Sequence, residues 1–203
     1  MTALNLPGKL DPNLLSQGRQ ELERINQLFW QDHAIQQKIP AIIQQFATCL
    51  QGGNKILACG NGGSMSDAIH FAEELTGRFK NDRPALAAIA ISDPGHLSCA
   101  ANDYGYDAVF SRYVEALGKP GDMLLAISTS GNSANVLKAV TAAQAKQIKT
   151  VALLGKNGGA LKDKCEFSLV VPSNFTSHIQ ETHIQLIHLF IAGIEQLLFP
   201  PQS

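Results

Sequence analysis

The 203-residue chain carries 16 Lys and Arg against 17 Asp and Glu, is 45% hydrophobic and 16% charged, and has a formal net charge of -1. That balance fits one globular domain with a buried core, and its scattered basic residues offer no source for the counterion release that drives nucleic-acid binding. A membrane partner is equally unexpected: the longest apolar run, IQLIHLFIAGIEQLLF, is interrupted by Gln185, His188 and Glu195, and the N-terminus lacks the apolar core of a signal peptide, so a cytoplasmic location is expected.

In chain order, residues 14–33 and 41–51 place apolar side chains at helical spacing and predict two leading helices. Residues 1–52 are read as an N-terminal helical arm belonging to the same domain as the body, 53–203. Short apolar runs follow: KILACG (55–60), ALAAIAI (85–91), DMLLAIS (122–128), KTVALLG (149–155) and FSLVVP (167–172). Most are separated by helical stretches, the pattern of buried parallel strands. A last helix over 177–198 is stopped by Pro200 and Pro201. The expected fold is α/β, a three-layer sandwich around a five-stranded parallel sheet, preceded by the helical arm. Cys49, Cys59, Cys99 and Cys165 form no C-x-x-C pair and read as buried free thiols.

Two strand-to-helix turns carry unusual chemistry. The first is Asn61, Gly62, Gly63 and Ser64; the second is STSGNS at 128–133. In open parallel sheets ligands collect beyond the carboxyl ends of the strands, and a helix N-terminus offers unpaired N–H groups and a favourable dipole to an anion. Neither turn matches the P-loop or the dinucleotide fingerprint, which leaves the phosphate of a small metabolite. As single turns, both also read as ordinary connections with good N-caps.

HFAEEL places His70 and Glu74 on one helical face, able to bind zinc, to share proton transfer or merely to support the helix. The last helix adds His178, Gln180, His183 and His188; an apolar setting around His188 is met equally by a core hydrogen bond.

The strings CGNGGS, DAIHFAEELTGRF, CAANDYGYDAVFSRYVEALG, GDMLLAISTSGNSANVLKA and IQETHIQLIHL together resemble the bacterial phosphoheptose (sedoheptulose 7-phosphate) isomerase family of the SIS, flavodoxin-like fold, from about residue 55 to the C-terminus. The resemblance implies an aldose–ketose isomerase that makes D-glycero-D-manno-heptose 7-phosphate through an enediolate, the first step of ADP-heptose synthesis for lipopolysaccharide. It also implies a homotetramer with active sites at subunit contacts and one Zn2+ per subunit. Carried over by residue, Glu74 and His188 are the catalytic pair, and His70, Glu74, Gln180 and His188 ligate the metal. The sugar-phosphate contacts are Asn61, Gly62, Gly63, Glu74, Asn102, Asp103, Ser128, Thr129, Ser130, Ser133 and Gln180.

The chain departs from the family pattern at Met65 and Ser66, where many members carry His-Cys, and at Ser177 and His178, where Asp-Arg is expected. Gln180 and His188 are also separated by about 12 Å of helix rise. A non-catalytic SIS relative that binds a replication initiator is the alternative, set aside because this chain keeps both Glu74 and His188. A sugar-phosphate-sensing regulator would need a separate DNA-binding domain for which 203 residues leave no room.

Overall fold

Alternation along the strands builds the molecule outward from one sheet. The computed structural model describes residues 8–200; the first seven residues, on which part of the targeting reading rests, and Pro201 lie outside them. Strands β1 (Ile56–Gly60), β2 (Ala88–Ala90), β3 (Met123–Ser128), β4 (Lys149–Gly155) and β5 (Phe167–Val171) pair in the order β2-β1-β3-β4-β5. All four pairings are parallel. In β1, Ile56 and Ala58 face one core while Leu57 and Cys59 face the other; in β3, Met123, Leu125 and Ile127 oppose Leu124 and Ala126. A sheet apolar on both faces needs helices on both, which gives the expected three layers.

One layer contains α1 (Leu14–Ile25), α2 (His33–Gln51), α3 (Gly63–Thr76) and α7 (Thr176–Leu198). The other contains α4 (Pro94–Tyr104), α5 (Val109–Leu117) and α6 (Ala134–Ala145). Phe46 of α2 is the joint of the first layer: its ring lies 5.8 Å from that of Phe71 in α3 and 5.6 Å from that of Phe190 in α7. Each such buried ring contributes about 1.5–3 kcal/mol relative to exposure. The joint fixes α3 against α7 and so determines which of their side chains meet. Among the described residues, no helix is long and apolar enough to cross a membrane.

The leading helices differ from their sequence-based bounds. The first segment is α1 followed by a π-helical turn over Asn26–Trp30, and α2 starts at His33 and runs through Pro40. Asp32 caps this start by accepting from Ala34 N at 2.7 Å. An interior proline costs about 3 kcal/mol, but Ile35, Ile39, Ile42 and Phe46 are all buried on the same helix, at about 1.5–3 kcal/mol each, and burial prevails. The edge strand β2 is shorter than the run at 85–91 because Leu86 N turns away to bond Leu75 O. Cys49 and Cys59 are buried free thiols; Cys99 is exposed and Cys165 half-buried, because the turns of α4 and the loop before β5 face outward there.

Candidate active site

The strand order reverses between β1 and β3, and at that switch point the carboxyl ends of two neighbouring strands open a crevice. Asn61 follows β1 directly. Its side-chain amide makes a reciprocal pair with Asn135 in the first turn of α6: Asn61 Nδ2 donates to Asn135 Oδ1 at 2.9 Å, and Asn135 Nδ2 donates back at 2.8 Å. Tyr106 Oη also donates to Asn61 Oδ1, at 3.2 Å. The Asn61 oxygen is thereby saturated, leaving one amide N–H to offer a ligand. Gly63, at the start of α3, has no Cβ because the Gln180 amide occupies that space.

Across the crevice, the turn at 128–133 is held by its own polar groups. Ser128 Oγ lies 3.0 Å from Ser133 Oγ and accepts from Gly131 N at 3.2 Å. Ser130 Oγ accepts from Asn132 N at 3.2 Å, and Asn132 Oδ1 accepts from Ala160 N at 2.9 Å. Gly131 has φ 66°, and any Cβ there would collide with the Gly158 carbonyl. The Ser133 side chain does not cap α6; Asn135 Oδ1 accepts from Val136 N at 3.0 Å, and the Ala134 and Asn135 N–H groups remain for an anion. Ser128 is buried, whereas Thr129, Ser130 and Ser133 are half-buried.

A second cluster forms where α3 meets α7. Nε2 of His70 and Nε2 of His188 lie 3.0 Å apart, and Glu74 Oε1 is 3.5 Å from the same His70 nitrogen. Phe79 stacks on the His188 ring at 5.6 Å. Glu73, which the sequence reading passed over, approaches His70 Nδ1 at 3.4 Å. Its signal was there as the His-x-x-Glu spacing. His70, Glu73 and Glu74 present ligand atoms all within 4.8 Å of one another, a potential metal-coordinating cluster. His70 offers this cluster one nitrogen and Glu73 and Glu74 a carboxylate oxygen each, an N/O set that suits zinc, and His188 Nε2, 3.0 Å from His70 Nε2, brings a second nitrogen beside it.

Burial shifts two groups on the helices that carry this cluster. Asp67, one turn before His70, has its carboxyl pushed up to about 6 by burial, partly opposed by nearby His70, and its Oδ2 has no hydrogen-bond partner. His183, fully buried on α7, is held down to about 4 by desolvation, with its ring Nε2 3.0 Å from the Leu154 carbonyl.

The structure brings His70, Glu74 and His188 together, and it gathers Asn61 and Ser128 to Ser133 about the switch point. Gln180 reaches the glycine turn, its amide lying over Gly63. Asn102 and Asp103 sit exposed at the end of α4, bonded to each other at 2.8 Å. Asn135 and Tyr106 escaped sequence reasoning because nothing in a helical NVLKAV or a loop GYD marks a partner 74 or 45 residues away.

The SIS domain family matches residues 22–155. The phosphoheptose isomerase of Fusobacterium nucleatum subsp. nucleatum is 46% identical over 188 residues, covering 93% of this chain and 96% of the relative. Among solved structures, phosphoheptose isomerase GmhA from Neisseria gonorrhoeae aligns with a TM-score of 0.81 and 41% identity, over 90% of this chain and 97% of that one. A phosphoheptose isomerase from Francisella tularensis aligns with a TM-score of 0.81 and 34% identity, over 90% and 94% of the two chains.

Proposed function

The chain belongs to the phosphoheptose isomerase family of SIS-domain proteins, and from that premise we propose that it converts sedoheptulose 7-phosphate to D-glycero-D-manno-heptose 7-phosphate, for ADP-heptose and lipopolysaccharide synthesis in the cytoplasm. The observation that carries the reading is that His70 Nε2 lies 3.0 Å from His188 Nε2 and 3.5 Å from Glu74 Oε1, on helices whose N-termini border a hydroxyl-lined anion crevice.

Moving a carbonyl from C2 to C1 requires one proton to pass between the two carbons and another between their oxygens, through a cis-enediolate. Glu74 takes the proton from one carbon and returns it to the other. His188 exchanges the second proton with the oxygens, and the Phe79 ring stacked on it holds its imidazole plane. Ser128, Thr129, Ser130 and Ser133 hold the phosphate at the start of α6, while the spare N–H of Asn61 and the amide of Gln180 orient sugar hydroxyls, with Asn102 and Asp103 at the rim. Zinc held by His70, Glu74 and His188 would supply Lewis-acid polarisation of the carbonyl oxygen. Gln180 is assigned to the substrate side because its amide lies over Gly63.

His70 and Glu74 lie about 10 and 16 Å of helix rise beyond Gly63, a long span for one small substrate. Ile69 and Leu189, the neighbours of His70 and His188, are 43% and 40% exposed. We infer that other subunits of a homotetramer cover this apolar surface and complete each active centre. A sedimentation mass of one chain at assay concentration would refute that assembly.

Incubating the purified protein with sedoheptulose 7-phosphate tests the reaction; an aldoheptose phosphate is the expected product. No product with or without added zinc overturns the assignment. Treatment with a strong chelator should lower the rate by more than about 10-fold while leaving the helical circular dichroism intact, and zinc should restore the rate. Both cores are built from packed side chains, so loss of the helical signal would make the ion structural.

A further inference from the structure

Arg83 lies in the connection between α3 and β2, yet its side chain is only 2% exposed. The guanidinium is inserted at the carboxyl end of α3. Nη2 donates to the Glu74 carbonyl at 2.7 Å and Nη1 to the Leu75 carbonyl at 2.7 Å, with longer bonds to Pro84 O at 3.1 Å and Gly77 O at 3.3 Å. The final carbonyls of a helix have no partners within it and favour a cation, so this arginine completes α3 from outside. Its fifth donor, Nε, bonds Glu195 Oε1 at 2.8 Å. Glu195 is on α7, seven residues beyond His188 and hence about two turns further on nearly the same face. One buried cation thus grips the backbone of Glu74 and the helix that carries His188.

We propose that Arg83 is a positioning residue for the isomerisation: by bonding the Glu74 carbonyl and the Glu195 carboxylate together, it sets the spacing between the Glu74 carboxylate and the His188 imidazole. The proposal rests on Glu74 and His188 being the acid–base pair. Lysine cannot take its place, since a point ammonium lacks the rigid fork that reaches two helix carbonyls and a carboxylate at once. The phosphate cradle belongs to β3 and α6, which Arg83 does not touch, so substrate capture and turnover should separate.

The test uses the full chain saturated with zinc, in Arg83→Lys, Glu195→Gln and the double variant Arg83→Met/Glu195→Met. The double variant removes the buried charges together and carries the test if a single one fails to fold. Well below each melting temperature, kcat should fall at least about 10-fold with KM within about twofold, as expected for displaced catalytic groups. Zinc affinity, read by competition with a chromophoric chelator, should weaken in the same variants. A kcat and zinc affinity within about twofold of the parent, with only the melting temperature lowered, would reduce Arg83 to a structural role and overturn the proposal, as would a double variant with parental kcat. An inactive parent protein would instead strike the isomerase assignment itself.

Discussion

In the turn at 128–133 the polar side chains mostly bond to partners within five residues, and Gly131 packs backbone against backbone on Gly158. In the cluster of His70, Glu74 and His188 the decisive approach spans 118 residues and depends on how α3 lies against α7. The first region is preformed by local chain geometry; the second exists only as long as two helices keep their register. Damage to the turn should therefore appear as weaker binding of the phosphate, and damage to the cluster as slower turnover of substrate that still binds.

The largest expected effect falls on the cluster. Glu74→Gln keeps size and loses the base, and His188→Gln keeps polarity and loses the proton shuttle. Each should lower kcat by about 100-fold or more with melting temperature and KM nearly unchanged. Near-parental kcat in both variants would dissolve the contrast, leaving one binding region and no catalytic one.

A pH titration of stability probes the joint between the regions, where His183 of α7 bonds Leu154 at the end of β4. Its folded pKa is depressed to about 4 from an ordinary 6.5, so the unfolded chain binds the proton more readily between those values. The contribution is complete above pH 6.5 and is lost as pH falls towards 4, by about 3 kcal/mol for a fully buried group. Asp67 acts oppositely: its raised pKa of about 6 makes acid stabilising in the window from 3.8 to 6, though solvent screens this half-exposed carboxyl. Comparing His183→Gln with the parent by urea unfolding at pH 7 and pH 4.5 isolates the histidine. An unchanged difference between the two pH values would show that His183 is not the linked group.

The smallest effect is expected at the turn itself. Ser130→Ala removes one hydroxyl and should raise KM about 10-fold, the scale of one charge-assisted hydrogen bond, with kcat little altered. Inorganic phosphate should compete with substrate and lose affinity in step. A fall in kcat at constant KM would place Ser130 with the chemistry and erase the distinction between the regions.

The five strands were legible because each is a short apolar run, most of them separated by helical stretches, and the one at 149–155 coincides with β4 residue for residue. The hydroxyl-rich turn was legible for the same local reason: STSGNS marks the passage from β3, which ends at Ser128, to α6, which starts at Ala134. The start of α2 was not, since Pro40 is a helix breaker in isolation and only the buried Ile and Phe face overrides it. Glu73 was written beside Glu74 but became distinct only when the ring of His70 was seen to point Nδ1 one way and Nε2 the other.

By itself the sequence determined the layered α/β architecture, the two polar turns and the residue types for acid–base work, since these follow from periodicity and from chemistry within a few positions. Only the tertiary structure decided that His188 meets His70, that Gln180 lies on Gly63, that Asn135 fixes the amide of Asn61 and that Arg83 caps the helix of Glu74. Those pairings depend on helix register across the Phe46, Phe71 and Phe190 joint, a packing outcome summed over many side chains that no short stretch of sequence contains.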